Sequence, residues 1–290
     1  MEEAPTEYEV KGELSAPKPA KKKKRKWYGI VIDVTLALVF ITAIAVSGNI
    51  IYLSAAYDLP FFVNGMSMYP TLNKDATDKT GKPLSWARGS NHSGDFVDYG
   101  YAKGQENLEW RSSLKRYDIV ITYYPENYET VSPGVYKRDA NGKLILRSSA
   151  KSKIKRIIGL PGETVKFDAA TEDGDLFNRA WGKTTINPGQ ENEEVLKPLY
   201  TMADFPDVDG LKYVGPTSGA PEVTLGEDQY YVMGDNRSHS SDSRNVGAIL
   251  GEMIVGKAYL VTGKQQLGDD LTPKKSWFYY FTPWTYRRIG

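Results

Sequence analysis

The run KIKRIIGLPGE, Lys153 to Glu163, decides how the rest of the chain reads. Its first six residues combine isoleucines with cations, and GLPG then stops the run with a turn signal. Read as a strand, it places Lys155 and Ile157 on one face and Ile154, Arg156 and Ile158 on the other. One of the two cations then faces an apolar interior, and the other faces water or a carboxylate. Similar short runs bounded by turn residues flank it: YDIVITYY (117–124), GKLILR (142–147), ETVKF (163–167), DQYYVM (228–233) and MIVGKAYLV (253–261). Outside one N-terminal apolar segment, no stretch keeps a helical period over four turns. The 20 Tyr and 27 Gly agree with a β-rich fold of many turns. The expected fold class is mainly β: one N-terminal transmembrane helix, then an extracytoplasmic all-β catalytic domain with an inserted second β-rich subdomain.

The apolar segment begins after KKKKRK (21–26) and the pair Trp27–Tyr28. From Val34 to Tyr57 the chain carries no charge. A helix of that length covers roughly 36 Å, enough to cross a hydrocarbon core. The aromatic pair suits the interface, and the six basic residues before it set the N-terminus on the cytoplasmic side. LSAAY (53–57) also has small residues suited to signal cleavage. The run is longer than a usual secretory core, so an uncleaved signal anchor is the preferred reading. Asp33 is expected to reach the headgroups at the cytoplasmic edge.

These signals give an expected organisation. Residues 1–26 form a cytoplasmic tail, with 1–20 polar and disordered, and residues 27–55 form the anchor. Residues 56–266 form the catalytic domain, with a polar insertion or loop at 73–115 and an inserted subdomain at 168–227. Residues 267–290 form a tail whose aromatic stretch, 276–290, lies on a membrane surface or packs on the core. Lys and Arg total 37 against 36 Asp and Glu, so the balance points to no nucleic-acid partner. With no cysteine in the chain, a Cys nucleophile, a thiolate metal site and disulfides are excluded.

Three segments carry candidate chemistry. In FFVNGMSMYPTL (61–72), Ser67 is a hydroxyl in an apolar, turn-forming sequence just after the span. A serine needs a base within hydrogen-bond reach to act as a nucleophile. His239, in GDNRSHSSDSR (234–244), stands near Asp242, so residue types alone permit a Ser67–His239–Asp242 triad. His92 lies in the polar 73–115 stretch and is expected to be exposed. Lys155 is the other candidate base. A free lysine amine is neutral only about 0.04% of the time at pH 7. Burial that lowers its pKa by about 3 units makes it a usable base, at about 4 kcal/mol of differential destabilisation. In the third segment, Gly234, Asp235 and Asn236 suit a tight turn. Asp235, Arg237, Asp242 and Arg244 suit ion pairs that hold a loop in one shape, or a charged surface turn.

Taken in order, NGMSMYPTL, YDIVI, KRIIGLPGE and YYVMGDNRSHSSDSR, downstream of one N-terminal span, resemble the bacterial type I signal peptidases. These are membrane-bound serine proteases that remove signal peptides from exported proteins. The resemblance covers the span and residues 55–262, with the two linking regions unmatched in detail. It implies Ser67 as nucleophile, with its backbone N–H in the oxyanion hole, and Lys155 as general base. It implies that Ser240 helps orient the lysine amine, and that Asp235, Arg237, Asp242 and Arg244 support the site. It implies that Gly65, Met68 and Pro70 frame the nucleophile. It implies no metal and no cofactor. The implied substrates are preproteins bound as an added β-strand, with small residues at positions −1 and −3, and the implied setting is a lipid bilayer with a monomeric enzyme.

The chain also departs from the family pattern. Gly65 stands where some members place a serine that donates to the oxyanion, which leans toward a Gram-positive type of source. Tyr117 stands where the family often has Gly. The 73–115 link is longer than usual, and His239 is atypical at its place. A specialised relative that processes pilin or surface-structure precursors, or an inactive membrane-anchored assembly factor, are the alternative readings. The presence of both Ser67 and Lys155 weighs against the inactive one.

Overall fold

The structure is a computed structural model that describes residues 26–56, 61–78, 80–82, 93–100, 108–168, 182–200, 204, 222–266 and 287–289. The expectations for residues 1–20, for His92 and for most of the 276–290 tail lie outside the described residues. By internal packing the chain divides into two units, Met1–Ala45 and Val46–Gly290.

Helix α1, Trp27–Ala56, is apolar and long enough to cross a membrane. Its large side chains are exposed all round, so its apolar surface does not serve a protein core. Two of its hydroxyls are satisfied within the helix. Thr35 Oγ1 donates to Val31 O (2.9 Å) and Thr42 Oγ1 to Leu38 O (2.8 Å). Such internal bonds remove the cost of carrying hydroxyls into hydrocarbon.

The strands run, in chain order, β1 Phe61–Phe62, β2 Ser93–Gly100, β3 Ile119–Thr122, β4 Thr130–Ser132, β5 Val135–Tyr136, β6 Lys153–Gly159 and β7 Thr164–Asp168. They continue as β8 Lys183–Ile186, β9 Glu194–Val195, β10 Glu222–Thr224, β11 Gln229–Met233, β12 Ile249–Leu250, β13 Ile254–Gln266 and β14 Arg287–Arg288. An eight-stranded sheet has the order β1-β2-β13-β3-β6-β11-β12, with β14 paired to β13. A four-stranded sheet has the order β10-β7-β8-β9, and β4 and β5 form a separate pair. All pairings are antiparallel. The mainly β reading therefore holds among the described residues, whose other α-helix, α2, spans Ser243–Val246.

Two local readings change. The 73–115 stretch, expected as a polar loop, contains β2, which pairs β1 on one side and β13 on the other. The sequence SGDFVDYG hides this because its Gly and Asp residues are poor strand formers; cross-strand pairing overrides weak propensity. The GKLILR run forms no regular strand. It contributes two isolated bridges, Tyr128 with Leu146 and Arg138 with Leu144.

Strand β6 lies inside the large sheet, with β3 on one edge and β11 on the other. Val120 pairs with Lys155 and Ile119 with Arg156. Its alternation feeds separate cores. Ile157 joins Val120, Tyr124, Val232 and Ile254, whereas Ile154 joins Val63, Met68, Leu72 and Ile119. Each such buried aliphatic side chain contributes roughly 1.5–3 kcal/mol relative to exposure. That burial on both faces is what draws Lys155 and Arg156 out of water.

Candidate active site

Ser67 sits on a turn between Val63 and Leu72, two residues that are fully buried. Apolar anchoring and side-chain clamps fix this turn. Met68 is buried in the same core, and Asn73 Nδ2 donates to Val63 O (2.9 Å) and Gly65 O (2.8 Å). Gly65 has φ +91°, a conformation that glycine takes without strain. Pro70 is buried beside the turn.

The loop after β11 grips the turn from the other side. Asn236 N–H donates to Ser67 O (3.0 Å), and Asn236 Nδ2 donates to Met66 O (3.1 Å). The approach is close at Gly234. A Cβ added there would lie 2.2 Å from Ser240 Oγ and 2.5 Å from Ser67 O, so a glycine is needed for packing.

Lys155 is 3% exposed and its Nζ donates to Ser67 Oγ at 2.8 Å. A second bond runs from Nζ to Ile154 O (2.9 Å). Burial pushes the amine down to about 8, against the opposing pull of Asp242 and Asp235. Among the described residues no carboxylate touches it; Ser67 and a backbone carbonyl are its hydrogen-bond partners. The Ser67 N–H donates to no protein group among the described residues.

Two buried ion pairs surround this contact. Arg156 donates through Nε to Asp235 Oδ1 (2.7 Å) and through Nη2 to Asp235 Oδ2 (2.8 Å), a bidentate pair. Burial works against the Arg156 charge, but Asp235 more than offsets it and holds the guanidinium firmly protonated. Arg156 Nη1 also donates to Tyr117 O (2.7 Å). Tyr117 itself has φ +74°, a left-handed backbone that is unusual for a bulky residue. Glycine takes such a conformation without strain. Thr71 Oγ1 donates to Asp235 Oδ2 (2.6 Å), and Tyr200 OH lies 2.5 Å from the same oxygen.

The second pair joins Asp242 and Arg244 through Oδ1–Nε (2.8 Å) and Oδ2–Nη2 (2.9 Å). Asp242 also caps α2, accepting from Arg244 N (3.2 Å), and accepts from Gly234 N (2.9 Å). Burial raises the Asp242 carboxyl, but Arg244 and these donors outweigh it and leave it low. Arg237 donates through Nε to Gly234 O (3.0 Å). Burial and the nearby Arg244 push its guanidinium down to about 10.

The structure thus brings Ser67, Lys155, Asp235, Arg237, Asp242 and Arg244 into one region. It does not assemble the triad. The Asp242 carboxylate is taken by Arg244 and backbone donors, and the side-chain partner of Ser67 is Lys155. Ser240 departs from its expected part. Its hydroxyl is buried and forms no hydrogen bond to Lys155, although it lies near enough to Asp242 to help lower that carboxyl. Thr71, Tyr200 and Asn236 escaped the sequence reading as site residues. Asn236 carried a signal in its turn tripeptide, but nothing marks Tyr200 among 20 tyrosines. Among the described residues no cluster of three His, Asp or Glu is placed to hold a metal ion.

A family model described as signal peptidase, peptidase S26, matches residues 31–262. Signal peptidase I V of Bacillus subtilis (strain 168) is 38% identical over 106 residues, 37% of this chain and 55% of that protein. Signal peptidase I P of Bacillus subtilis subsp. natto is 33% identical over 132 residues, 44% of this chain and 60% of that protein. These two matches thus span little more than half the length of each relative. Signal peptidase I T of Bacillus subtilis (strain 168) is 30% identical over 205 residues, 70% of this chain and 72% of that protein. A solved signal peptidase I from Enterococcus faecalis V583 is 24% identical, with a TM-score of 0.32 over 50% of this chain and 95% of that one. That score is too low to bear on the fold. With the family model matching across residues 31–262, the chain belongs to the signal peptidase, peptidase S26, family.

Proposed function

We propose that this chain is a membrane-anchored serine endopeptidase that removes N-terminal signal peptides from preproteins. The observation that carries this reading is the 2.8 Å contact between a buried, carboxylate-free lysine amine and Ser67 Oγ. Family membership supports the reaction and the substrate class. An amine with a pKa of about 8 is neutral in about one-tenth of molecules at pH 7. For an unperturbed lysine that share is smaller by more than two orders of magnitude. Burial without a carboxylate partner is therefore the device that makes the base.

In this reading the neutral Lys155 amine accepts the Ser67 proton as Ser67 Oγ attacks the scissile carbonyl carbon. The resulting ammonium gives that proton to the leaving amine, and the peptide bond breaks. An ester to Ser67 remains. Lys155, again neutral, takes a proton from water, whose oxygen attacks the ester; the bond from the carbonyl carbon to Ser67 Oγ then breaks, the Lys155 ammonium returns its proton to Ser67 Oγ, and the signal peptide leaves with a new C-terminal carboxyl group. The Ser67 N–H is available to the oxyanion, a donor of the kind that contributes about 3 kcal/mol at the transition state. The two Arg–Asp pairs hold the loop and β6 so that the amine and hydroxyl keep their spacing.

Substrates bind extended, with small residues at −1 and −3. Helix α1 anchors the chain with its N-terminus in the cytoplasm and residues 56–266 outside as the catalytic domain. Residues 168–227 are an addition to it, 73–115 supply a strand of its main sheet, and 267–290 are a tail. Ser67 follows the end of α1 closely, which suits a cleavage site emerging at the membrane surface. The enzyme acts as a monomer.

The test is cleavage of a preprotein carrying an Ala-x-Ala site by the full-length, detergent-solubilised protein. Ser67→Ala and Lys155→Ala should lose cleavage while His239→Ala retains it. Loss in the histidine variant alone overturns the dyad.

A further inference from the structure

The segment after β9 reaches the site from the smaller sheet. Leu196 N–H donates to Thr184 O (2.9 Å), which starts the segment from β8. Four residues later the Tyr200 hydroxyl enters the buried network. It lies 2.5 Å from Asp235 Oδ2, accepts from Arg156 Nη2 (3.0 Å) and contacts Thr71 Oγ1. Each of these partners belongs to a segment that carries the site. Thr71 shares the turn of Ser67, Arg156 follows Lys155 on β6, and Asp235 precedes Asn236, whose N–H holds Ser67 O.

We infer that Tyr200 is a positioning residue: its phenol ties the serine turn, the lysine strand and the loop after β11 into one arrangement, so the smaller sheet helps set the Ser67–Lys155 spacing. This rests on the dyad reading above. Burial and the neighbouring Asp235 raise the phenol well above its ordinary range, so it stays a neutral donor throughout the working pH. Its proton falls on the same oxygen that Thr71 and Arg156 already engage. A donor at that point fixes direction more than charge, because Arg156 supplies the charge.

The readout is steady-state cleavage of a signal-peptide substrate by the full-length protein in detergent. Tyr200→Phe should lower kcat about tenfold with KM within about twofold, as one charge-assisted hydrogen bond is lost from the transition-state geometry. The acidic limb of kcat/KM should also move up by a few tenths of a pH unit. The sign follows from the charges. Asp242 and Asp235 favour the Lys155 ammonium, while burial, Lys153 and Arg244 oppose it. Asp235, Arg156 and Thr71 surround the phenol, which also faces Arg237. Losing the phenol donor leaves the Asp235 carboxylate charge less compensated by hydrogen bonding, so Lys155 keeps its proton to higher pH. Thr71→Val, which removes a second donor from Asp235 Oδ2, should shift kcat the same way.

A Tyr200→Phe enzyme with unchanged kcat and an unmoved acidic limb overturns the inference, even if its melting temperature falls. Should that variant not fold, unchanged kcat in Thr71→Val overturns it instead. The two failures separate cleanly. If the wild-type chain does not cleave, the dyad reading falls and takes this inference with it. If the wild type cleaves and the variants match it, only the role of Tyr200 is lost.

Discussion

Lys155 and Arg156 are consecutive cations on one strand, 3% and 8% exposed, and they have opposite fates. Arg156 meets Asp235 in a two-point pair and stays charged. Lys155 meets a hydroxyl and a carbonyl, and burial pushes it down to about 8. The fold supplies the same burial to both, so burial alone does not make a base. What separates them is where the carboxylates sit. Asp235 faces Arg156, and Asp242 is committed to Arg244. A carboxylate moved next to Lys155 would return it to a permanently charged, chemically inert state.

Four substitutions break or sharpen that contrast, the largest effect first. Lys155→Arg should reduce cleavage by at least about a thousandfold, because guanidinium does not release a proton at working pH. Near wild-type turnover in a preprotein assay would show that the amine is not the base. Asp235→Asn should then cost about 3–5 kcal/mol of stability by leaving Arg156 buried beside a neutral group. Urea unfolding at pH 7 reads this, and a shift under about 1 kcal/mol would mean that solvent reaches the pair.

Lys155→Met tests the other cation with the opposite sign. The folded pKa of Lys155 is depressed from 10.5 to about 8. Between those values the unfolded chain binds more protons, so stability rises with pH across the window; below about pH 8 the full penalty is present. Removing the amine should therefore stabilise the protein by about 3 kcal/mol at pH 7. The gain over wild type should shrink as pH rises from 8 toward 10.5. A gain that is flat with pH would mean packing, not charge, is responsible. The smallest effect belongs to an exposed pair. Lys137 and Glu129 lie 3.0 Å apart with side chains 49% and 41% exposed. Lys137→Ala should change the unfolding free energy read from urea titration by less than about 1 kcal/mol, since solvent screens such pairs.

Much of the strand pattern was legible because β6, β7 and β11 carry β-branched and aromatic residues between turn signals. Strand β2 was not, because its Ser, Gly and Asp residues obtain their conformation from β1 and β13 rather than from local preference. The same division holds in the site. Ser67, Lys155 and the charged loop announced themselves as short motifs. Ser240 was expected to reach the lysine, but its buried hydroxyl forms no hydrogen bond among the described residues and packs against Gly234 instead.

By itself, the amino-acid sequence determined one long apolar helix, a β-rich remainder and the residue types for a serine–lysine site. Each of these depends on local composition and period. Only the tertiary structure decided which lysine loses its charge, which carboxylate pairs with which arginine, and that Tyr200 joins the network from 44 positions away along the chain from Arg156. Pairing and desolvation depend on atoms brought within a few ångströms by folding, and separation along the chain carries no record of that distance.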